Sequence, residues 1–395
     1  MFRPQRLRAG GARLFALLAG IVLLAACTPS GLVGPGAIPG GPVPGEVIGA
    51  GPVKVGMLLP LSATGNAGQL ARQMRNAAEL ALRESQSATV QILIKDDRGT
   101  PDGARAAASA AISEGAQIIL GPLFAEAVTA AASVAKPAGV PVVAFSTDAS
   151  VAARGVYLIS FLPQGDVDRI VRYAASQGKR SFAALLPANA YGTLVEATLQ
   201  RSLANAGGRV VAVQKYNLDR ASMQEKATAI ANIVKQGTVN AVFMPEGGDA
   251  APFLAQILAT NEVDPSQVQF LGSGQWDDPR VTAESNLNGG WFPGPDLNGF
   301  RSFSERYRAA FGSAPLRNAS LAYDATSLAT GLAGRFGSNA FTDQVLTASS
   351  GFIGVDGAFR FLADGTNQRA LAVYQIERGQ LGVLSPAPRN FTAGF

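Results

Sequence analysis

Apolar residues fall in short continuous runs that begin near Val53, Val90, Ile118 and Val140, and again near Phe182, Val210, Ala241 and Phe270. Between the runs, helical spacing of apolar positions appears at 68–84, 101–114, 125–136, 166–177, 191–206, 222–236 and 249–260. A run that is apolar at every position reads as a strand covered on both faces, and strands alternating with helices of this length predict parallel sheets. Eight such strands with a break at 161–166 predict two sheets. The pattern therefore describes an α/β protein of two doubly wound parallel-sheet lobes.

Residues 117–150 hold this unit in compact form. The run 118–120 ends on Gly121-Pro122, and the run 140–145 passes into Ser146-Thr147-Asp148. Between them, 125–136 consists almost wholly of good helix formers and is closed by Pro137 and Gly139. Open α/β sheets bind ligands at the carboxyl ends of their strands. That sets the turn 121–124 beside the loop 146–150, both rich in backbone amides and hydroxyls.

After Gly290 the rhythm changes. Residues 300–311 and 320–335 are helical with little strand between them, and 357–361 with 371–376 predict a hairpin around Asp364-Gly365. Helices without strands of their own must cover a sheet already built. Residues 290–349 are therefore expected to return to lobe 1 (53–161), and 350–390 to lobe 2 (162–289). Crossings near 162, 290 and 350 predict a three-segment hinge with a cleft where strand ends face each other.

The N-terminus changes the meaning of the charge. Arg3, Arg6, Arg8 and Arg13 precede the apolar run 14–24, a pattern that predicts a secretory signal peptide over 1–26. Without those arginines the formal net charge of +5 falls to near zero, and the remaining basic residues are scattered, so no nucleic-acid partner is expected. The single cysteine, Cys27, follows Leu24-Ala25-Ala26 at the expected cleavage point, which resembles a bacterial lipobox. The resemblance implies a lipid-modified Cys27 anchored in the cell envelope; Thr28, where an inner-membrane retention signal would carry Asp, favours the outer membrane. Residues 31–51 contain twelve Gly or Pro, so 27–52 is read as the lipidated cysteine and a tether.

The 395 residues include no histidine, which removes Ser-His-Asp and Cys-His nucleophile systems and most catalytic zinc designs. No phosphate-binding or dinucleotide motif is present, so no cofactor, no metal and no catalytic residue are assigned. Ser133-Val134-Ala135-Lys136 fits the SxxK spacing of penicillin-binding enzymes but lacks the partner motifs. Asp96-Asp97 and Asp277-Asp278 read as helix and turn caps rather than an acid–base pair.

Several motifs carry a resemblance. Residues 55–62 (VGMLLPLS), Asp96-Asp97, Gly121-Pro122, Phe145-Ser146-Thr147 and Tyr191-Gly192 resemble the type I periplasmic binding proteins, of which the leucine/isoleucine/valine-binding proteins are the best-known members. The runs at 120–125, 274–279, 289–292 and 354–357 are most similar to the lipoprotein branch named penicillin-binding protein activators. The family implies a small polar, amino-acid-like or peptide-like ligand between the lobes. On that basis the binding residues are expected to be Phe124, Ala125, Ser146, Thr147, Asp148 and Ser150 in lobe 1, with Tyr191, Glu246, Gln275 and Trp276 in lobe 2. One departure stands out. Amino-acid binders of the family carry an acid at the position of Gly274 to pair the ligand ammonium, so either Glu246 or Asp277 substitutes or the ligand is no simple amino acid. Two functions follow from the resemblance: solute binding for ABC-type amino-acid transport with a permease as partner, or activation of a penicillin-binding peptidoglycan synthase.

Overall fold

The computed structural model describes residues 45–85 and 89–391. The expected signal peptide, Cys27 and most of the expected tether lie outside the described residues. In chain order the body begins with β1 (Val47–Ile48), β2 (Val53–Leu59), α1 (Gly65–Glu84), β3 (Val90–Asp96), α2 (Pro101–Ser113), β4 (Ala116–Leu120), α3 (Ala125–Ala135), β5 (Val142–Ala144) and β6 (Val156–Leu158). These strands form one sheet in the order β1-β3-β2-β4-β5-β6, parallel throughout except for β1. Alternate side chains face opposite sides of a strand. Val55, Met57 and Leu59 accordingly enter the core under α1, and Leu58 enters the core under α2 and α3.

The chain then crosses to α4 (Pro163–Ser176), β7 (Ser181–Pro187), α5 (Ala190–Asn205), β8 (Arg209–Tyr216), α6 (Arg220–Val234), β9 (Ala241–Phe243), α7 (Ala250–Thr260), β10 (Gln269–Leu271), α8 (Pro279–Thr282) and β11 (Trp291–Gly294). It returns to lobe 1 for α9 (Leu297–Phe311), α10 (Ala319–Phe336), α11 (Asp343–Leu346), β12 (Phe352–Gly354), β13 (Gly357–Phe361) and β14 (Asn367–Arg369), and ends in lobe 2 with β15 (Ala372–Glu377) and β16 (Gln380–Ser385). The second sheet runs β16-β15-β11-β10-β9-β7-β8, and β12-β13-β14 make a small third sheet. The fold is thus α/β with two mixed, mainly parallel sheets, one in each lobe.

Helix starts follow local chemistry. Thr100 accepts the Gly103 amide at 3.1 Å with Pro101 next in line, Asn189 accepts the Gly192 amide at 2.9 Å, and Asp219 accepts the Ser222 amide at 2.8 Å. Each such cap is worth about 1 kcal/mol.

Three boundaries correct the sequence reading. The tether does not run to 52, because β1 pairs antiparallel with β3 through Val47 and Ile48, using edge backbone groups that β3 leaves free. The second crossing lies after 294 rather than at 290. Trp291 to Gly294 fill the gap between β10 and β15 in the lobe 2 sheet, where Phe292 is fully buried. The third crossing lies near 370 rather than 350. Gly357–Phe361 pairs with Asn367–Arg369, not with 371–376, because Phe359 and Phe361 bury their rings in the lobe 1 core. Phe361 packs 5.4 Å from the Tyr157 ring.

The three crossings are tied to one another. Asn367 Nδ2 donates to the carbonyls of Leu158 and Ser160, both at 2.7 Å, and Arg369 donates to the carbonyls of Ile159 and Ser160. The Tyr374 hydroxyl donates to the Pro295 carbonyl at 2.8 Å and accepts from the Leu297 amide at 3.3 Å. These hydrogen bonds hold the three crossing segments together where the chain passes between the lobes.

Candidate functional site

A cavity of about 340 Å³ lies between the lobes. Lobe 1 contributes Leu123 after β4, Phe145 and Thr147 after β5, Phe161 at the first crossing, and Arg317, Asn318 and Leu321 at the start of α10. Lobe 2 contributes Pro163 and Asp166 of α4, Tyr191 of α5, and Gly274, Gln275 and Asp277 after β10, with Pro295 at the second crossing. Both sheets thus present carboxyl strand ends to one space, where open α/β sheets bind their ligands. A larger groove of about 840 Å³ lies along α4 and the β13–β14 loop. Its half-buried arginine Arg169 is already engaged by the Leu371 carbonyl and the Ser385 hydroxyl, both at 2.7 Å. Volume alone does not make that groove the site.

Apolar walls and a few charged groups give the cavity its character. Arg317 pairs with the fully buried Asp356 at 2.6 Å and stacks on Phe300 (4.1 Å) and Phe161 (5.1 Å), which fixes the guanidinium in place. Its Nη2 is buried without a hydrogen-bond partner. On the facing wall, Asp166 Oδ2 accepts the Gly274 amide at 2.9 Å. Burial pushes the Asp166 carboxyl up to about 7, the Gly274 bond opposing only part of that, and no basic group offsets its charge. Asp277 is open to the cleft, yet the surrounding walls push its carboxyl up; Arg317 pulls it partly back and Asp278 raises it further. The Tyr191 hydroxyl, 3.5 Å from the Pro245 carbonyl, is pushed up to about 12, chiefly by burial. It stays protonated and can donate.

Of the ten residues expected to bind ligand, Thr147, Tyr191 and Gln275 line this cavity. The others do not, for identifiable reasons. Phe124 sits against the turn at Gly99, where an added Cβ would meet its ring at 3.0 Å, and Ala125 opens α3 behind it. The Ser146 hydroxyl is buried and accepts the Asp148 amide at 3.2 Å, while the Asp148 carboxylate accepts the Ser150 amide at 2.9 Å. The loop after β5 therefore spends those polar groups on its own geometry. Glu246 lies outside the cavity wall, its carboxyl pushed up by burial. Trp276 is a core residue: it is fully buried against Phe292, and its Nε1 donates to the carbonyls of Met244 and Glu246 at 3.0 and 3.1 Å. Gly272 is required beneath it, since a Cβ there would meet the indole at 2.1 Å.

Asp166, Arg317 and Phe161 were not singled out in the sequence. Asp166 reads there as the start of an amphipathic helix and Arg317 as the polar lead-in to another, and no local spacing joins residues 151 positions apart. Within the acidic pairs, Asp97 Oδ1 accepts the Gly99 amide at 2.8 Å and Asp278 accepts the Arg280 amide at 2.8 Å, as the capping reading expects, whereas Asp277 lines the cleft instead. Ser133 of the SxxK stretch donates to the Ala130 carbonyl of its own helix at 2.7 Å. Among the described residues, no cluster of His, Cys, Asp and Glu is arranged to hold a metal, and no helix is long and apolar enough to cross a membrane.

Comparison with solved structures gives likenesses of fold. A protein from Rhodospirillum rubrum with a provisional branched-chain amino acid ABC transporter assignment superposes with a TM-score of 0.75 at 19% identity, covering 84% of this chain and 99% of that one. A solute-binding protein of an ABC transporter from R. palustris, solved with benzoate, gives 0.59 at 20% identity over 86% and 97%. A branched-chain amino acid transporter substrate-binding protein from Streptococcus pneumoniae, solved with isoleucine, gives 0.58 at 18% identity over 85% and 99%. A search of curated protein sequences finds no significant match. The model of the family described as periplasmic binding protein matches residues 52–380, which spans both lobes, all three crossings and the cavity between them. The chain therefore belongs to the periplasmic binding protein family, whose members bind solutes rather than catalyse reactions.

Proposed function

We propose that this protein is the extracytoplasmic solute-binding component of an ABC-type transporter, closing its lobes on one small solute of about amino-acid size. The observation that carries this reading is the cavity of about 340 Å³ walled by both lobes at their carboxyl strand ends. That volume lies at the small end of ligand pockets. A solute that touches both walls favours the closed state, and only such differential affinity shifts a hinge equilibrium. The relatives solved with benzoate and isoleucine support a small organic solute. Cys27 and the Gly/Pro-rich segment after it support a lipid-anchored form in the periplasm, at the outer membrane in preference to the inner. Replacing Cys27 with Ser is expected to release the protein from the membrane fraction, and unchanged retention would refute the anchor.

A second reading, a lipoprotein that stimulates a peptidoglycan synthase, rests on the motif runs at 120–125, 274–279, 289–292 and 354–357. In the fold these runs include the core residues Trp276 and Phe292 and the Arg317 partner Asp356, which hold the scaffold together under either reading. The deciding experiment is mass spectrometry of the native protein for a co-purified solute, with thermal shift of the full chain against amino acids, aromatic acids, short peptides and muropeptides. Stabilisation by a single small solute supports transport. No stabilisation, together with binding to a peptidoglycan synthase, would overturn it.

A further inference from the structure

Beyond β16 the chain makes a fourth crossing. Ser385, the last residue of β16, is held in lobe 2 by Arg169 of α4, whose Nη2 donates to its hydroxyl at 2.7 Å, and Ala387 still packs against the lobe 2 core. Pro388, Arg389 and Asn390 are exposed. Phe391 then lands on lobe 1. The Arg360 guanidinium of β13 stands 4.7 Å from its ring centre, and a Cβ on Gly351, just before β12, would meet that ring at 2.9 Å.

Lobe 1 is shaped to take the ring. Arg360 Nε and Nη2 both donate to Gln368 Oε1 of β14, at 2.9 and 2.6 Å, and Nη1 donates to the Ser349 carbonyl at 3.2 Å. The guanidinium is thereby fixed as a flat cationic face for an aromatic ring to stack on. Gly351 turns at φ +69°, a conformation that favours glycine, and its missing side chain leaves the space that the ring fills.

Length makes this contact mechanical. Ala387 and Phe391 are four positions apart, and extended chain covers at most about 3.6 Å per residue, so these anchors cannot part beyond about 14 Å while both hold. Pro388 stiffens the span by fixing its own φ. Pro386 and Pro388 run along the groove of about 840 Å³, whose other walls are α4 of lobe 2 and the β13–β14 loop of lobe 1. The span therefore crosses where the two lobes adjoin.

We propose that residues 388–391 are a strap of fixed length that limits how far the lobes open, with the Phe391–Arg360 stack as its releasable end. While the stack holds, opening stops when the strap is taut. When it breaks, only the other three crossings restrain the lobes. The population of open lobes thus depends on a contact outside the cavity, because a contact made in one arrangement alone favours that arrangement. This inference goes beyond the solute-binding reading and rests on the two-lobe fold, whatever the solute.

The test is double electron–electron resonance on the full chain without solute, with spin labels on Ser109→Cys in α2 of lobe 1 and Gln224→Cys in α6 of lobe 2, both exposed positions. Cys27, the only cysteine, is replaced by Ser so that these two positions alone are labelled. Phe391→Ala is expected to widen the lobe-to-lobe distance distribution about twofold, toward longer distances. Inserting about six Gly and Ser residues between Pro388 and Arg389 adds about 20 Å of reach while keeping the stack, and is expected to widen it equally. Phe391→Tyr, which keeps the ring, is expected to match the parent. A distribution unchanged in both Phe391→Ala and the insertion, or widened in only one of them, would overturn the strap and leave the solute-binding reading intact.

Discussion

Asp166→Asn tests the electrostatics of the cleft without any ligand. In the fold the Asp166 carboxyl ionises near 7 because burial disfavours its charge; in the unfolded chain it ionises near the ordinary value of about 3.9. The native state therefore holds a proton that the unfolded state releases between those two values. Stability from this group is complete below pH 4 and is lost as pH rises through 7. At about 1.4 kcal/mol per pH unit the loss is at most about 4 kcal/mol. Water in the cleft reduces this to about 2 kcal/mol. The asparagine variant keeps an acceptor for the Gly274 amide and carries no charge at any pH. It is thus expected to match the parent near pH 4.5 and to exceed its stability by about 2 kcal/mol at pH 8. The assay is urea denaturation of ligand-free protein at pH 4.5, 6, 7 and 8, comparing the two chains at each pH so that the other titrating groups cancel. Parallel stability profiles, or a variant less stable at pH 8, would refute the burial argument.

Three further outcomes follow from the same structure. Trp276→Ala is expected to cost about 3–5 kcal/mol of stability by denaturant titration, as removal of a fully buried indole does; a loss under about 1 kcal/mol would return Trp276 to the ligand site. Thr147→Val is expected to weaken solute binding by about 1–3 kcal/mol in calorimetry with little change in melting temperature, because the hydroxyl lines the cavity and packs little. Arg369→Met removes the donors to Ile159 and Ser160 and the cation that offsets Asp324 and Asp356, so a loss of about 3–5 kcal/mol is expected. The Asp324 carboxyl, pushed up to about 7 by burial and by Asp356, is neutral at pH 5. The Arg369→Met deficit should therefore be larger at pH 8 than at pH 5, and the reverse order would refute the pairing.

The apolar runs and helical spacings by themselves determined two α/β lobes, because a strand buried on both faces and an amphipathic helix leave their periods in the sequence. Local chemistry was legible too: Thr100 before Pro101, Asp278 before Pro279 and the turn at Asp364-Gly365 act on neighbours a few residues away. The small strands were not legible. Val47–Ile48 lies in a stretch rich in Gly and Pro, and Trp291–Gly294 carries a proline; both are strands because sheet edges elsewhere in the chain offer them backbone partners. The third crossing depended on which lobe had room for Phe359 and Phe361, a question of packing volume that no local period records. The cleft shows the same division. Thr147, Tyr191 and Gln275 follow strand ends or open a helix, where topology alone predicts a ligand-facing position. Asp166 reaches Gly274 and Arg317 reaches Asp356 only after both lobes have closed their sheets, and the charge of the site comes from those long-range approaches.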